Sequence, residues 1–132
     1  MTYYLDAVVL VVDDDRAQML IVKNLLERAG YRVMTAPSGA AALEVVRTLK
    51  DPLQLLLTDV EMPGMNGRAL AAEIRALHAD IRVLYVTAHT DDLFAQGGLL
   101  GAGEAFLEKP ASPTELGEAV RMLLRRAPGD AA

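Results

Sequence analysis

Short, wholly apolar runs alternate with longer stretches in which apolar residues recur at helical spacing. Val8-Val9-Leu10-Val11-Val12 is β-branched and too short for a helix, which predicts a strand buried on both faces. It stops at Asp13-Asp14-Asp15, and Val22, Leu25, Leu26 and Ala29 then recur at i, i+3, i+4 and i+7, the stripe of an amphipathic helix ended by Gly30. Tyr31 to Ala36 predicts a second strand. Pro37-Ser38-Gly39 turns into a helix carrying Ala42, Val45, Val46 and Leu49 on one side, which Asp51-Pro52 closes. The apolar run from Leu53 to Leu57 is a third strand, halted by Thr58-Asp59 and a loop built from Pro63, Gly64, Asn66 and Gly67. Leu70, Ile74 and Leu77 define a third helix, and Arg82 to Ala88 a fourth strand ending in Thr87 and followed by His89. Asp91 to Leu100 predicts a fourth helix weakened by Gly97, Gly98, Gly101 and Gly103. Ala105 to Glu108 is a short fifth strand ended by Lys109-Pro110. Ser112-Pro113-Thr114-Glu115 is a capping box with Pro at the first helical position, opening a helix with Leu116, Val120, Leu123 and Leu124 inward.

Apolar strands alternating with helices predict an α/β class: one doubly wound domain with a parallel sheet, helices on both faces and right-handed crossovers. Residues 1–7 form a lead-in, 8–126 the domain, and 127–132 a tail expected to fray. Hydrophobic residues at 52% and charged residues at 23% fit a folded globular chain. The formal net charge of −5 argues against a basic nucleic-acid face. Zero cysteines exclude disulfides, a thiolate nucleophile and thiolate metal ligands. No apolar run approaches the ~20 residues of a bilayer span, and no basic segment precedes the first apolar run. A cytoplasmic domain that does not itself enter a membrane is the expectation.

The chemistry collects at strand ends. Strands one, three, four and five stop at Asp13/Asp14, Asp59, Thr87 and Lys109, and in a parallel sheet those ends share one edge, where open α/β sheets place their ligands. If strands one and three are neighbours, three carboxylates converge, and protons or a cation must compensate them. Oxygen-only ligands favour a hard divalent ion, Mg²⁺ first with Mn²⁺ as its substitute. Carboxylates, metal, hydroxyl and ammonium together suit a tetrahedral phosphoryl group. An aspartate aimed at that centre is a phosphoryl acceptor through its carboxylate oxygen. Taken singly, each residue has a plainer role: Asp14 or Asp15 caps the first helix, Thr87 is an ordinary strand residue, Lys109 a solvated terminus, Phe106 core, and Met62 and Met65 loop packing. Asp15 keeps the capping role even when the others are read together.

Val11-Val12-Asp13-Asp14-Asp15, Leu57-Thr58-Asp59-Val60-Glu61-Met62-Pro63-Gly64-Met65-Asn66-Gly67, Val86-Thr87-Ala88 and Phe106-Leu107-Glu108-Lys109-Pro110 resemble the receiver domains of two-component response regulators, from about Val8 to Arg125. The wording of 84–92 and 105–110 is similar to receivers appended to hybrid histidine kinases. The resemblance implies strand order 2-1-3-4-5, an order the flavodoxin-like doubly wound folds share. It implies Asp59 as phosphoacceptor. Mg²⁺ would be ligated by Asp14, Asp59 and the backbone carbonyl of Glu61, with Asp13 holding it through water. Thr87 and Lys109 would bind phosphoryl oxygens, and Lys109-Pro110 would be cis. Phe106 takes the aromatic switch position, moving inward as Thr87 is drawn to the phosphoryl group. Glu61 and His89 stand where side chains tune hydrolysis of the aspartyl phosphate. The implied partners are a histidine kinase or histidine phosphotransfer protein, an unidentified downstream protein, and a second copy through the fourth helix, fifth strand and fifth helix. No nucleic-acid partner is implied for this domain.

Two other functions compete. Asp13-Asp14-Asp15 contains the D-x-D spacing of aspartate-nucleophile phosphatases of the haloacid dehalogenase kind. However, Ala17 departs from that family's usual Thr or Val, and no later acidic pair or cap insertion follows. A receiver-like binding module that switches without phosphorylation usually lacks one of the acidic, Thr or Lys positions, and all are present here. The expectation is therefore a phosphoacceptor, not an enzyme beyond slow loss of its own phosphoryl group.

Overall fold

The computed structural model describes residues 7–89 and 100–125. Five strands, β1 (Val8–Val12), β2 (Arg32–Ala36), β3 (Leu53–Asp59), β4 (Arg82–Thr87) and β5 (Glu104–Glu108), form one parallel sheet in the order β2-β1-β3-β4-β5. Four helices are present among the described residues: α1 (Arg16–Arg28), α2 (Gly39–Thr48), α3 (Gly67–Leu77) and α4 (Pro113–Leu124). The helix predicted over Asp91 to Leu100 lies outside the described residues, except for Leu100, which is not helical.

Strand position follows from residue pattern. Every residue of β1 is buried and most of β3 and β4 are, matching their apolar runs, whereas β2 and β5 alternate exposed and covered positions as edge strands do. Side chains alternate across the sheet, so its two faces form separate cores. One gathers Leu10, Val12, Leu56, Val83 and Tyr85 with Ala42, Leu43 and Val46 of α2 and Leu70, Ala71 and Ile74 of α3. The other gathers Val9, Val11, Leu55, Leu57, Leu84 and Val86 with Met19, Val22 and Leu26 of α1 and Leu116, Ala119, Val120 and Leu123 of α4.

Each helix starts on a side-chain acceptor that satisfies an otherwise orphaned N–H. Asp15 accepts from Gln18, Ser38 from Ala41, Asn66 from Ala69 and Ser112 from Glu115, with the Glu115 carboxylate closing the capping box on the Ser112 N–H. Past the end of α1, Gly30 has φ 100°, the left-handed conformation that glycine adopts freely. Two stripes end sooner than their spacing predicts. Leu77 is 57% exposed at the last residue of α3, and Ile81 beyond the turn is buried in that core instead. Ala29, the C-cap of α1, is also exposed.

Candidate functional site

The sheet order brings the polar strand ends together. Asp13 follows β1 and Asp59 ends β3, the neighbouring strand. Thr87 ends β4 and Lys109 follows β5. One carboxylate oxygen from each of Asp13, Asp14 and Asp59 lies within 4.8 Å of the others. The Lys109 ammonium donates to Asp13 Oδ2 and to Asp59 Oδ2, both at 3.3 Å, and its backbone N–H donates to the Thr87 carbonyl at 2.8 Å. The Lys109-Pro110 peptide is cis. Lys109 thus supplies part of the compensating charge that the crowded acids require.

Local bonds fix the acids. Asp13 Oδ1 accepts from the Asp15 N–H at 2.9 Å, while the Asp15 side chain caps α1. Asp59 Oδ1 accepts from the Glu61 N–H at 3.3 Å, and the Thr58 hydroxyl donates to the Asp59 carbonyl at 2.8 Å. The loop from β3 to α3 is drawn tight. The Gly67 N–H donates to the Val60 carbonyl at 2.9 Å, and a Cβ on Gly67 would overlap the Asp59 carbonyl oxygen. Met65 packs against Gly39 at the start of α2, and Met62 is buried in the core, so both serve as loop packing.

Burial sets the charge states. Desolvation raises the Asp13 pKa above its ordinary value, and the neighbouring Asp59 charge adds to this. The Asp15 N–H and Lys109 offset only part of the rise. Burial alone would lower the pKa of Lys109, but the two carboxylates outweigh it, and the ammonium is held charged above its usual range. Asp14 is exposed and Asp59 is partly covered, so the cluster opens to solvent on one side.

Thr87 is fully buried, and its hydroxyl accepts from the His89 N–H at 3.0 Å and donates to the His89 carbonyl at 3.3 Å. The His89 imidazole stands 3.8 Å from the Glu61 carboxylate, so the two positions flanking Thr87 and Asp59 meet each other. Phe106 is 39% exposed on β5, in register with Tyr85 of β4. Glu104, Arg75 and Tyr85 form a polar cluster that the apolar periodicity hides. A tyrosine inside a buried strand was the available signal, because its hydroxyl needs a partner.

An oxygen-only set of three clustered acids fits one hard divalent ion, and an adjacent ammonium fits an anion bound to that ion. The family model described as "Response regulator receiver domain" matches residues 9–121. The chain belongs to the response regulator receiver domain family. This receiver is 35% identical over 120 residues to sensor kinase CckA of Brucella abortus, covering 91% of this chain and 13% of CckA. Its fold matches chemotaxis response regulator CheY4 of Vibrio cholerae with TM-score 0.78 and 30% identity, over 90% of this chain and 99% of that one. It matches response regulator TrrA of Thermotoga maritima, solved in complex with Mg(2+)-BeF, with TM-score 0.77 and 31% identity, over 89% and 99% of the two chains. A receiver is a module of two-component signalling; the chain spans only a small part of the sensor kinase CckA and nearly the whole of the chemotaxis response regulator CheY4. No helix of the described residues is long and apolar enough to cross a membrane.

Proposed function

We propose that this receiver accepts a phosphoryl group on Asp59 from a histidine kinase or histidine phosphotransfer protein, in a Mg²⁺-dependent reaction, and changes its surface in response. The observation that carries the reading is Asp59 Oδ2 and Asp13 Oδ2 sharing the Lys109 ammonium beside Asp14. Asp59 attacks the phosphorus atom through a carboxylate oxygen. A new O–P bond forms as the P–N bond to the donor imidazole breaks, and the freed nitrogen keeps the bond's electron pair. Asp13, Asp14 and Asp59, with the Glu61 carbonyl, would hold Mg²⁺, or Mn²⁺ in its place, and the ion would neutralise phosphoryl charge when bound. The TrrA complex supports this assignment by kinship.

Lys109 pairs with a second phosphoryl oxygen, for which its retained positive charge suits it. The Thr87 hydroxyl exchanges the His89 carbonyl for a phosphoryl oxygen, and Phe106 moves inward toward the space this vacates. The responding surface comprises β5, α4 and the segment predicted as a helix over 91–100, which would meet a downstream protein or a second copy. Glu61 and His89, whose side chains stand 3.8 Å apart, tune phosphoryl loss. A cytoplasmic setting belongs to this reading. The haloacid dehalogenase alternative is disfavoured because Ala17 departs from that family's usual Thr or Val and the receiver family model matches residues 9–121.

Incubation with acetyl phosphate and Mg²⁺, followed by intact mass measurement, tests the proposal. The expected result is one added phosphoryl group that requires Mg²⁺ and is missing in Asp59→Asn. An adduct that persists in a folded Asp59→Asn variant would overturn the assignment.

A further inference from the structure

On the α3 side of the sheet, β4 and β5 set their side chains in rows: Val83 beside Glu104, Tyr85 beside Phe106, Thr87 beside Glu108. Phe106 therefore stands next to Tyr85 and one row from Thr87. Tyr85 is 2% exposed, and its hydroxyl faces the Glu104 carboxylate, one row down. That carboxylate, on a side chain only 6% exposed, also accepts from Arg75 of α3 at 2.6 Å and from the Gly101 N–H at 2.7 Å. The Arg68 guanidinium lies over the Tyr85 ring, 6.0 Å from its centroid. The ring beneath the switch position thus lies beside an ion pair that ties α3 to the foot of β5.

We infer that Tyr85, held by Glu104 and Arg75, is a positioning residue of the switch: its anchored ring is the floor against which Phe106 exchanges its outward for its inward place. The inference rests on the proposed inward movement of Phe106 and adds the residues that set its cost. A fixed ring gives Phe106 two discrete packings, because close-packed interiors favour one arrangement or another over a continuum. A ring freed from Glu104 blurs that boundary, so occupancy of Asp59 is read out less fully at β5. Two properties agree with a close approach of the two side chains. Burial first, and then the Glu104 charge, push the Tyr85 phenol up to about 12. Glu104 is held below the usual carboxylate range because the Gly101 N–H and Arg75 outweigh its burial.

The chain contains no tryptophan, so Phe106→Trp introduces a single one, which can be excited beyond the tyrosine band. Beryllofluoride with Mg²⁺ would load the site, with occupancy read by ¹⁹F NMR and the environment of position 106 by tryptophan emission. Phe106→Trp alone should shift its emission on loading. Adding Tyr85→Phe or Glu104→Gln should leave saturation of the adduct unchanged while cutting the emission response about threefold or more. A full emission response in the folded Tyr85→Phe double variant overturns the inference, and this conservative change decides the matter if Glu104→Gln does not fold. A saturated adduct with no emission change in Phe106→Trp alone overturns the Phe106 switch itself, and the Tyr85 role with it. Failure of the adduct to form even in the otherwise unaltered chain overturns the phosphoacceptor reading instead.

Discussion

Asp13 carries a cost that its position explains. It is buried beside another carboxylate, and its raised pKa means that folding favours its neutral form. A carboxyl group of that kind contributes stability below its ordinary value of 3.8 and loses it as pH rises through the folded value. At neutral pH the ionised group is therefore a net burden on the metal-free domain. Asp13→Asn should raise metal-free stability at neutral pH, because Lys109 keeps Asp59 as a partner. Thermal unfolding across pH checks the sign: the gap between variant and parent should be open at neutral pH and close in acid. A gap that persists unchanged in acid would point to packing rather than charge.

Among the elements, the loop from β3 to α3 is closely constrained. Gly67 lets the backbone pass against the Asp59 carbonyl, where a Cβ has no room and the obstructing atom is backbone. Gly67→Ala should destabilise the domain by about 1–3 kcal/mol, the range for overpacking, and should slow modification of Asp59 by displacing it. Denaturant unfolding beside the acetyl phosphate assay would separate the two effects. The sequence named this glycine as a turn former, but the close approach is tertiary and has no sequence signature. The same division holds elsewhere. Val8 to Val12 and Leu53 to Leu57 are legible because complete burial leaves only apolar residues. The caps at Asp15 and Ser112 are legible because the bonds are local. Convergence of Asp13, Asp14, Asp59 and Lys109 could be inferred only once a strand order was assumed. The link from Glu104 to Arg75 was hidden, since two charged residues 29 positions apart look like ordinary surface until the fold brings them together. Leu77 misled because helical spacing does not reveal where a helix outlasts the core it covers.

For the molecule as a whole, a cation that binds only the folded form stabilises it by mass action. At ten times its dissociation constant, Mg²⁺ should add about 1.4 kcal/mol, and the melting temperature should rise by a few degrees, an increment that Asp59→Asn should abolish. Scanning calorimetry with and without the ion measures it, and an equal rise in the variant would place the ion elsewhere. The sheet order has a further consequence, for the timing of assembly. Lys109 meets Asp13 across 96 positions and Asp59 across 50, so the site is among the most non-local contacts in the chain. Contacts of such high order form late, because long loops must close before they are rewarded. During synthesis the acids of β1 and β3 emerge well before the lysine that pairs them. A nascent or partly opened chain therefore holds acidic residues without their resident cation, and the cluster of Asp13, Asp14, Asp59 and Lys109 is complete only when the last strand docks. On the proposed phosphoacceptor role, modification of Asp59 would thus report that folding is complete.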